Sequence, residues 1–240
     1  MENTTVRSDS TASIGECVDK VMAQARVNQR RETETAESIE RKKQQRIRKT
    51  VSLIASQLGP RYSWDRVSKW HDAGPDAEAV YQRLSTIIET SKAFTVDPPS
   101  LILIGPVGTG KEHLVAWLLY RAAFAGVSAS WVNGQEVFGE FRDRIKTGED
   151  EQGLLQQLVQ PQILAIADPI PVSGEPSPYN LNQLYRIVDR RYCHLRPTWV
   201  TLNIRNEQEA DTRLTAPVWD RLCDGAEIVR CFWPSYRKPR

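Results

Sequence analysis

The chain has 240 residues, enough for one globular domain with an appendage or two small domains, and too few for a large multidomain assembly. Hydrophobic residues at 40% and charged residues at 26% exclude a disordered or fibrous protein. With 32 basic and 30 acidic residues the net charge is only +2, so any nucleic-acid binding has to come from local clustering.

From Ile14 to Leu58 the chain has almost no Gly or Pro and many charges, which predicts helix. Ile14, Val18, Val21 and Ala25, then Ile47, Val51, Ile54 and Leu58, form two narrow apolar stripes about a polar middle that ends in a basic run from Arg41 to Lys49. A run of this kind is a solvated helix face or a contact with nucleic acid or a partner. Gly59-Pro60 and Gly74-Pro75 punctuate the next stretch, and a helical pattern follows from Asp76 to Lys92. A partner-binding extension over 1–57 and a core module over 58–240 are expected.

After Pro98-Pro99 strands alternate with helices. The apolar run SLILIG leads into a glycine turn and a helix over 111–125. A strand at 128–132, helices over 134–146 and 152–159, and the strand ILAIAD come next. A Pro-rich loop, a helix over 180–192, the strand TWVTLN, helical segments over 207–222 and the strand EIVRCF complete the pattern. Five apolar strands with helical crossovers predict an α/β fold, a parallel sheet covered on both faces. Cys17, Cys193, Cys223 and Cys231 include no C-x-x-C pair, residues 1–13 lack an apolar core, and LVAWLLYRAAFAG is interrupted at Arg121. A cytoplasmic protein without disulfides, zinc or a membrane span is the expectation.

The turn Gly105, Pro106, Val107, Gly108, Thr109, Gly110, Lys111 matches G-x-x-x-x-G-K between a buried strand and a helix. Its glycines let backbone N–H groups wrap a phosphate, the following helix aims its positive end at the anion, and Lys111 reaches the β and γ phosphates. The next position, normally Ser or Thr on magnesium, is Glu112. A carboxylate there either replaces the hydroxyl as a hard ligand or weakens binding by repulsion. Asp168 ends ILAIAD where a P-loop ATPase holds magnesium, and Pro169 stands where a water-polarising Glu or Asp is usual, so slow hydrolysis is expected. Glu175, six residues further, is either a replacement for that acid or, as the preferred reading, a surface carboxylate. Arg190, Arg191, Tyr192, Arg237, Lys238 and Arg240 are candidate DNA contacts, and the seven tryptophans are core by default.

GPVGTGK, ILAIAD, LYRIVDRRYCHLRPTWVTLN and VWDRLCDGAEIVRCFWPSYR together resemble the AAA+ ATPases of the DnaC-type helicase loaders and the IstB-like transposition helpers over Leu58 to Arg240. The resemblance implies a three-layer P-loop NTPase with a helical N-terminal extension and no C-terminal lid. It implies ATP and Mg2+ as cofactors, Asn203 as the γ-phosphate sensor, and Arg221 as an arginine finger acting across a self-assembly interface. It further implies a replicative helicase bound through the N-terminal helices, and single-stranded DNA. A loader with weak ATPase activity is the leading expectation; a transposition helper and a pseudo-ATPase adaptor are the alternatives.

Overall fold

The computed structural model describes residues 14–69, 75–90 and 98–237. Trp70, Lys238, Arg240 and the side chains of the first apolar stripe lie outside them. Helix α1 runs Ile14–Leu58, and a 3-10 turn Pro60–Tyr62, α2 Trp64–Val67 and α3 Pro75–Thr90 follow. The sheet module then reads β1 Leu101–Ile104, α4 Lys111–Phe124, β2 Ala129–Asn133, α5 Gly134–Thr147, α6 Glu151–Val159 and β3 Ile163–Ala167. It continues with α7 Pro178–Cys193, β4 Thr198–Leu202, α8 Glu207–Leu214, α9 Ala216–Cys223 and β5 Glu227–Arg230.

All five strands are parallel, in the order β2-β3-β4-β1-β5. Strand periodicity sorts the core into two layers. Leu101, Leu103, Ile163, Ala165 and Trp199 face α4 and the N-terminal helices, while Ile102, Ile104, Leu164, Ile166, Val200 and Leu202 face α5 to α9. Both faces are covered, which is why the strands are continuous apolar runs with no polar alternation. Polar caps fix where helices start: the Asn133 side chain accepts from Gln135 N and Glu136 N, Ser177 accepts from Asn180 N ahead of Pro178, and Asn206 accepts from Glu209 N. The register ends β1, β4 and β5 together, pairing Ile104 with Leu202 and with Arg230.

The chain divides into units between Gln45 and Arg46, inside α1, and not at the expected 57/58 boundary. Ile54 and Leu58 are buried in the α4-side core, with Val51 packed against it. Gln57 also binds the edge strand: its Oε1 accepts from Trp131 N at 2.9 Å and its Nε2 donates to Ser130 Oγ at 2.9 Å. This amide occupies an edge that would otherwise offer unpaired backbone groups. The second apolar stripe therefore packs on its own domain.

A chain beginning at Arg46 is expected to unfold in one transition at the wild-type midpoint. Ile54→Ala should cost about 2–5 kcal/mol by cavity formation, and a chain beginning at Leu58 should lose at least as much. Urea unfolding followed by tryptophan fluorescence checks both; equal stability of the chains beginning at 46 and 58 would contradict the packing.

Candidate functional site

Four strand ends converge at one edge of the sheet, where parallel α/β sheets bind ligands. Gly105 follows β1, Asp168 follows β3, Asn203 follows β4 and Cys231 follows β5. The glycine turn between β1 and α4 begins with Gly105 N donating to Leu202 O at 3.3 Å. Gly105 has φ 151° and a Cβ there would meet the Cys231 carbonyl oxygen at 2.2 Å. Helix α4 is capped by left-handed Gly110 with no side-chain acceptor, which leaves its first amides available to an anion. The cleft above them has a volume of about 500 Å³, within the range of small-ligand sites.

A ring of hydrogen bonds joins the predicted site residues. Lys111 Nζ donates to Gly105 O and Pro106 O, both at 2.8 Å, and to Asn203 Oδ1 at 2.9 Å. Asn203 Nδ2 donates to Asp168 Oδ1 at 2.6 Å. Asp168 N donates to Thr201 Oγ1 at 3.3 Å, and that hydroxyl donates to Glu112 Oε1 at 2.6 Å. Burial pushes the Asp168 carboxyl up, against the pull of Lys111, and lowers Lys111. Burial also pushes Glu112 up, opposed by its Thr201 hydrogen bond. Glu112 Oε2 is buried without a hydrogen bond of ordinary geometry, although the Trp131 side chain also opposes the rise. Asp168 sits at φ 46°, a left-handed conformation that costs about 1–3 kcal/mol and concentrates at functional sites.

The cleft also contains residues that the motif did not reveal. Arg61 and Tyr62 line it from the 3-10 turn, and His113 lines it from α4. The Tyr62 and His113 rings meet edge to face at 4.8 Å. Burial, helped by Arg61, lowers the His113 pKa and favours the neutral ring. Tyr236 and Arg237 close another side, so Arg237, expected on DNA, stands at the cleft. The segment after β5 is tied to the glycine turn by Cys231 N to Ile104 O at 2.8 Å, Trp233 Nε1 to Thr109 O at 2.8 Å and Tyr236 N to Gly108 O at 3.0 Å. Gly108 has φ 91°, and a Cβ would meet Ser235 Oγ at 2.0 Å. Only the Gly59-Pro60 break hinted at the first group; Tyr236 and Arg237 carried no local signal.

Arg221 does not line this cleft. Its Nε pairs with Asp189 Oδ1 at 2.8 Å, Nη1 donates to Pro217 O at 3.0 Å, and the guanidinium lies 5.1 Å from the Tyr185 ring centre. Asp189 on α7, and not the neighbouring Asp220 or Asp224, holds it. Arg191, another expected DNA contact, is fully buried. It donates to Thr198 Oγ1 and to the carbonyls of Leu158, Val159, Pro161, Gln162 and Pro197, bracing α7 against the α6 to β3 turn. Pro169 offers its carbonyl to Gln135 Nε2 at 2.9 Å and no acid to the cleft. Trp64, Trp131 and Trp219 are only partly buried, whereas Trp117, Trp199 and Trp233 are buried.

Residues 71–240, most of the sheet module, match the sequence pattern described as IstB-like ATP binding protein. The chain belongs to that family. It is 31% identical over 164 residues to the replicative helicase loader DnaC of Escherichia coli strain K12, a match that covers 68% of this chain and 66% of that protein's length. An IS21-like insertion-sequence ATP-binding protein of Bacteroides fragilis is 26% identical over 84% of this chain and 75% of its own length. Among solved structures, the crystal structure of the DnaC helicase loader superposes with a TM-score of 0.62 at 17% identity, covering 72% of this chain and 99% of that one. AMPPCP-bound DnaA from Aquifex aeolicus superposes at 0.57 and 16% identity, over 73% and 51% of the two chains. These superpositions establish the α/β P-loop NTPase fold.

The family is an ATP-binding one, and the glycine turn with the first amides of α4 offers the donors that suit a phosphate. The three acceptors now on Lys111 are replaceable by phosphate oxygens of the same geometry and greater charge. Lys111→Ala should abolish binding of a fluorescent ATP analogue. Gly108→Ala should weaken it about tenfold or more, because the added methyl drives Ser235 and its segment off the turn, and Trp233 emission should shift in the same variant. Unchanged affinity in Lys111→Ala would contradict the assignment.

Proposed function

We propose that this chain is a nucleotide-switched DNA-replication accessory of the helicase-loader type. In this reading ATP with Mg2+ binds in the cleft, copies assemble through Arg221, and the helical segment before Arg46 engages a replicative helicase for delivery to single-stranded DNA. The observation that carries it is the conjunction of the hydrogen-bonded chain Lys111 to Asn203 to Asp168 with Pro169 in place of a catalytic carboxylate. A site built to hold and sense a nucleotide without a base to activate water suits a switch better than a fast hydrolase. The loader similarity of the E. coli relative gives the switch its biological direction.

Magnesium fits the donor set. Asp168 and Glu112 both line the cleft and offer hard oxygen ligands, and Glu112 Oε2, which has no hydrogen bond of ordinary geometry, is an acceptor that a cation would satisfy. Bound there, the metal would neutralise charge on the phosphate oxygens. The chain's own groups do the rest: Lys111 binds the phosphate, Asn203 reports its presence to Asp168, and Tyr62 and His113 offer ring faces beside the phosphate site. Arg221 has no place in its own cleft, as a residue serving a neighbouring copy requires.

A transposition role is the second reading, favoured by the longer span shared with the insertion-sequence relative. Capture separates the two. The intact chain should retain a hexameric replicative helicase on a column, and the chain beginning at Arg46 should not; a chain that captures a transposase and no helicase decides for transposition.

Turnover gives an independent check. Wild-type hydrolysis should be slow and Pro169→Glu should raise it. Arg221→Ala should leave ATP-analogue affinity unchanged while lowering helicase- or DNA-stimulated hydrolysis by roughly 10³-fold. A residue that merely forms a surface ion pair with Asp189 would change stability by about 0–1 kcal/mol and nothing else.

A further inference from the structure

A second groove, of about 830 Å³, runs between the Arg46 to Gln57 part of α1, the edge strand β2 and the end of α6, and shares no residue with the nucleotide cleft. On α1 its wall is Arg46, Lys49, Thr50 and Leu53, which the helical repeat brings to one stripe beside the buried one. Ser130 lies on the β2 side and Gln157 and Gln160 form the opposite wall. No carboxylate lines the groove, and neither Arg46 nor Lys49 has a carboxylate partner among the described residues.

The opposite wall ends in the C-terminus of α6, whose carbonyls would ordinarily repel an anion. Two guanidiniums take those carbonyls. Arg191 holds Leu158 O, Val159 O and Pro161 O, and Arg196 holds Val159 O and Gln160 O. All six acceptors of Arg191 are neutral, so this fully buried cation has no counter-ion to cancel its field. The two guanidiniums lie behind that wall and occupy its carbonyls, so the cations that line the groove itself are Arg46 and Lys49, and its other polar side chains are hydroxyls and amides.

We propose that this groove is a track for the phosphodiester backbone of a nucleic acid. Lys and Arg, seconded by Ser, Thr and Gln, are the groups that hold phosphates without reading sequence. Arg46 and Lys49 stand about 4.5 Å apart along the helix axis, near enough for their flexible side chains to meet neighbouring phosphates of one strand. Two adjacent cations among hydroxyls and amides, with Leu53, Ala129 and Pro161 between them, suit a phosphodiester backbone. The proposal rests on the nucleic-acid partner in the function proposed above and places it at the end of the basic run Arg41 to Lys49, away from Arg191 and Arg237.

The test uses the intact chain and fluorescence anisotropy of a labelled oligothymidine and of a duplex of equal length, each titrated with NaCl. The double variant Arg46→Ala/Lys49→Ala should bind the preferred form more weakly. On single strands its slope of log affinity against log salt should be shallower by about 1.4, because two fewer phosphates are neutralised. Gln157→Glu, an exposed and nearly isosteric change on the opposite wall, should also weaken binding. ATP-analogue affinity and the thermal midpoint should stay at wild-type values in both. The tighter of the two oligonucleotides identifies the natural form.

Wild-type binding that neither variant alters overturns the groove and leaves the DNA-partner reading standing. A wild-type chain that binds neither oligonucleotide overturns both. Weaker binding in the α1 variant with wild-type binding in Gln157→Glu means that the helix acts without the groove, and displacement of the oligonucleotide by polyglutamate at equal charge means an acidic polypeptide site; either result overturns the proposal.

Discussion

The ammonium of Lys111 is the point on which the site depends. Side-chain burial makes its charge costly, and three acceptors meet that cost: two carbonyls of its own turn and the Asn203 amide oxygen from β4. Hydrogen bonds to charged groups are worth about 1.5–3 kcal/mol each, so the turn is held closed on its own lysine. In the proposed function a nucleotide would replace these bonds with phosphate contacts, and one of the exchanges moves Asn203, at the end of another strand. Release of Lys111 from Asn203 is felt at Asp168, and its release from Pro106 is felt in the turn that Tyr236 and Trp233 grip from the other side. Binding at one lysine is thereby coupled to β3, β4 and the segment after β5.

This coupling is possible because the sheet brings the strand ends into register. Ile104 opposite both Leu202 and Arg230 places the turn, Asn203 and Cys231 side by side. The apolar layers on the two faces fix that register, since a slip by one residue would exchange Leu101 and Leu103 for Ile102 and Ile104. The same packing sets the extent of the domain. Ile54 enters the α4-side core and Gln57 closes the β2 edge, so the end of α1 belongs to the sheet module and supplies the wall of its second groove.

Charge is used differently on the two sides of the module. Around the cleft, cations and carboxylates alternate: Lys111 with Asp168 and Glu112, and Arg61 and Arg237 at the rim. Along the groove, Arg46 and Lys49 have no carboxylate beside them. A small net charge of +2 conceals this separation. The first arrangement suits a compact anion that a metal accompanies, the second a long anion followed by its own counter-ions.

The fold and the phosphate site were legible in the sequence because both are local or periodic. Two-faced burial writes itself as continuous apolar strands, and a glycine turn between strand and helix is a contiguous motif. Gly105 to Lys111, Asp168 and Asn203 were found at the ends of recognisable strands and were brought together as expected. Their partners were not legible. Nothing near Thr201 announces that its hydroxyl bridges Asp168 and Glu112, and nothing in Tyr62 or Tyr236 places either beside a turn more than 40 or 120 residues away. Arg191 stands next to Arg190 in a basic pair that reads as surface charge, yet only the packing of α7 on the α6 to β3 turn decides that it is fully buried. The sequence by itself determined which segments are strands and helices and where the glycine turn lies, since those depend on neighbours along the chain. The tertiary structure alone decided which charges are buried, which are paired and which face a groove, because solvation and partnership depend on neighbours in space.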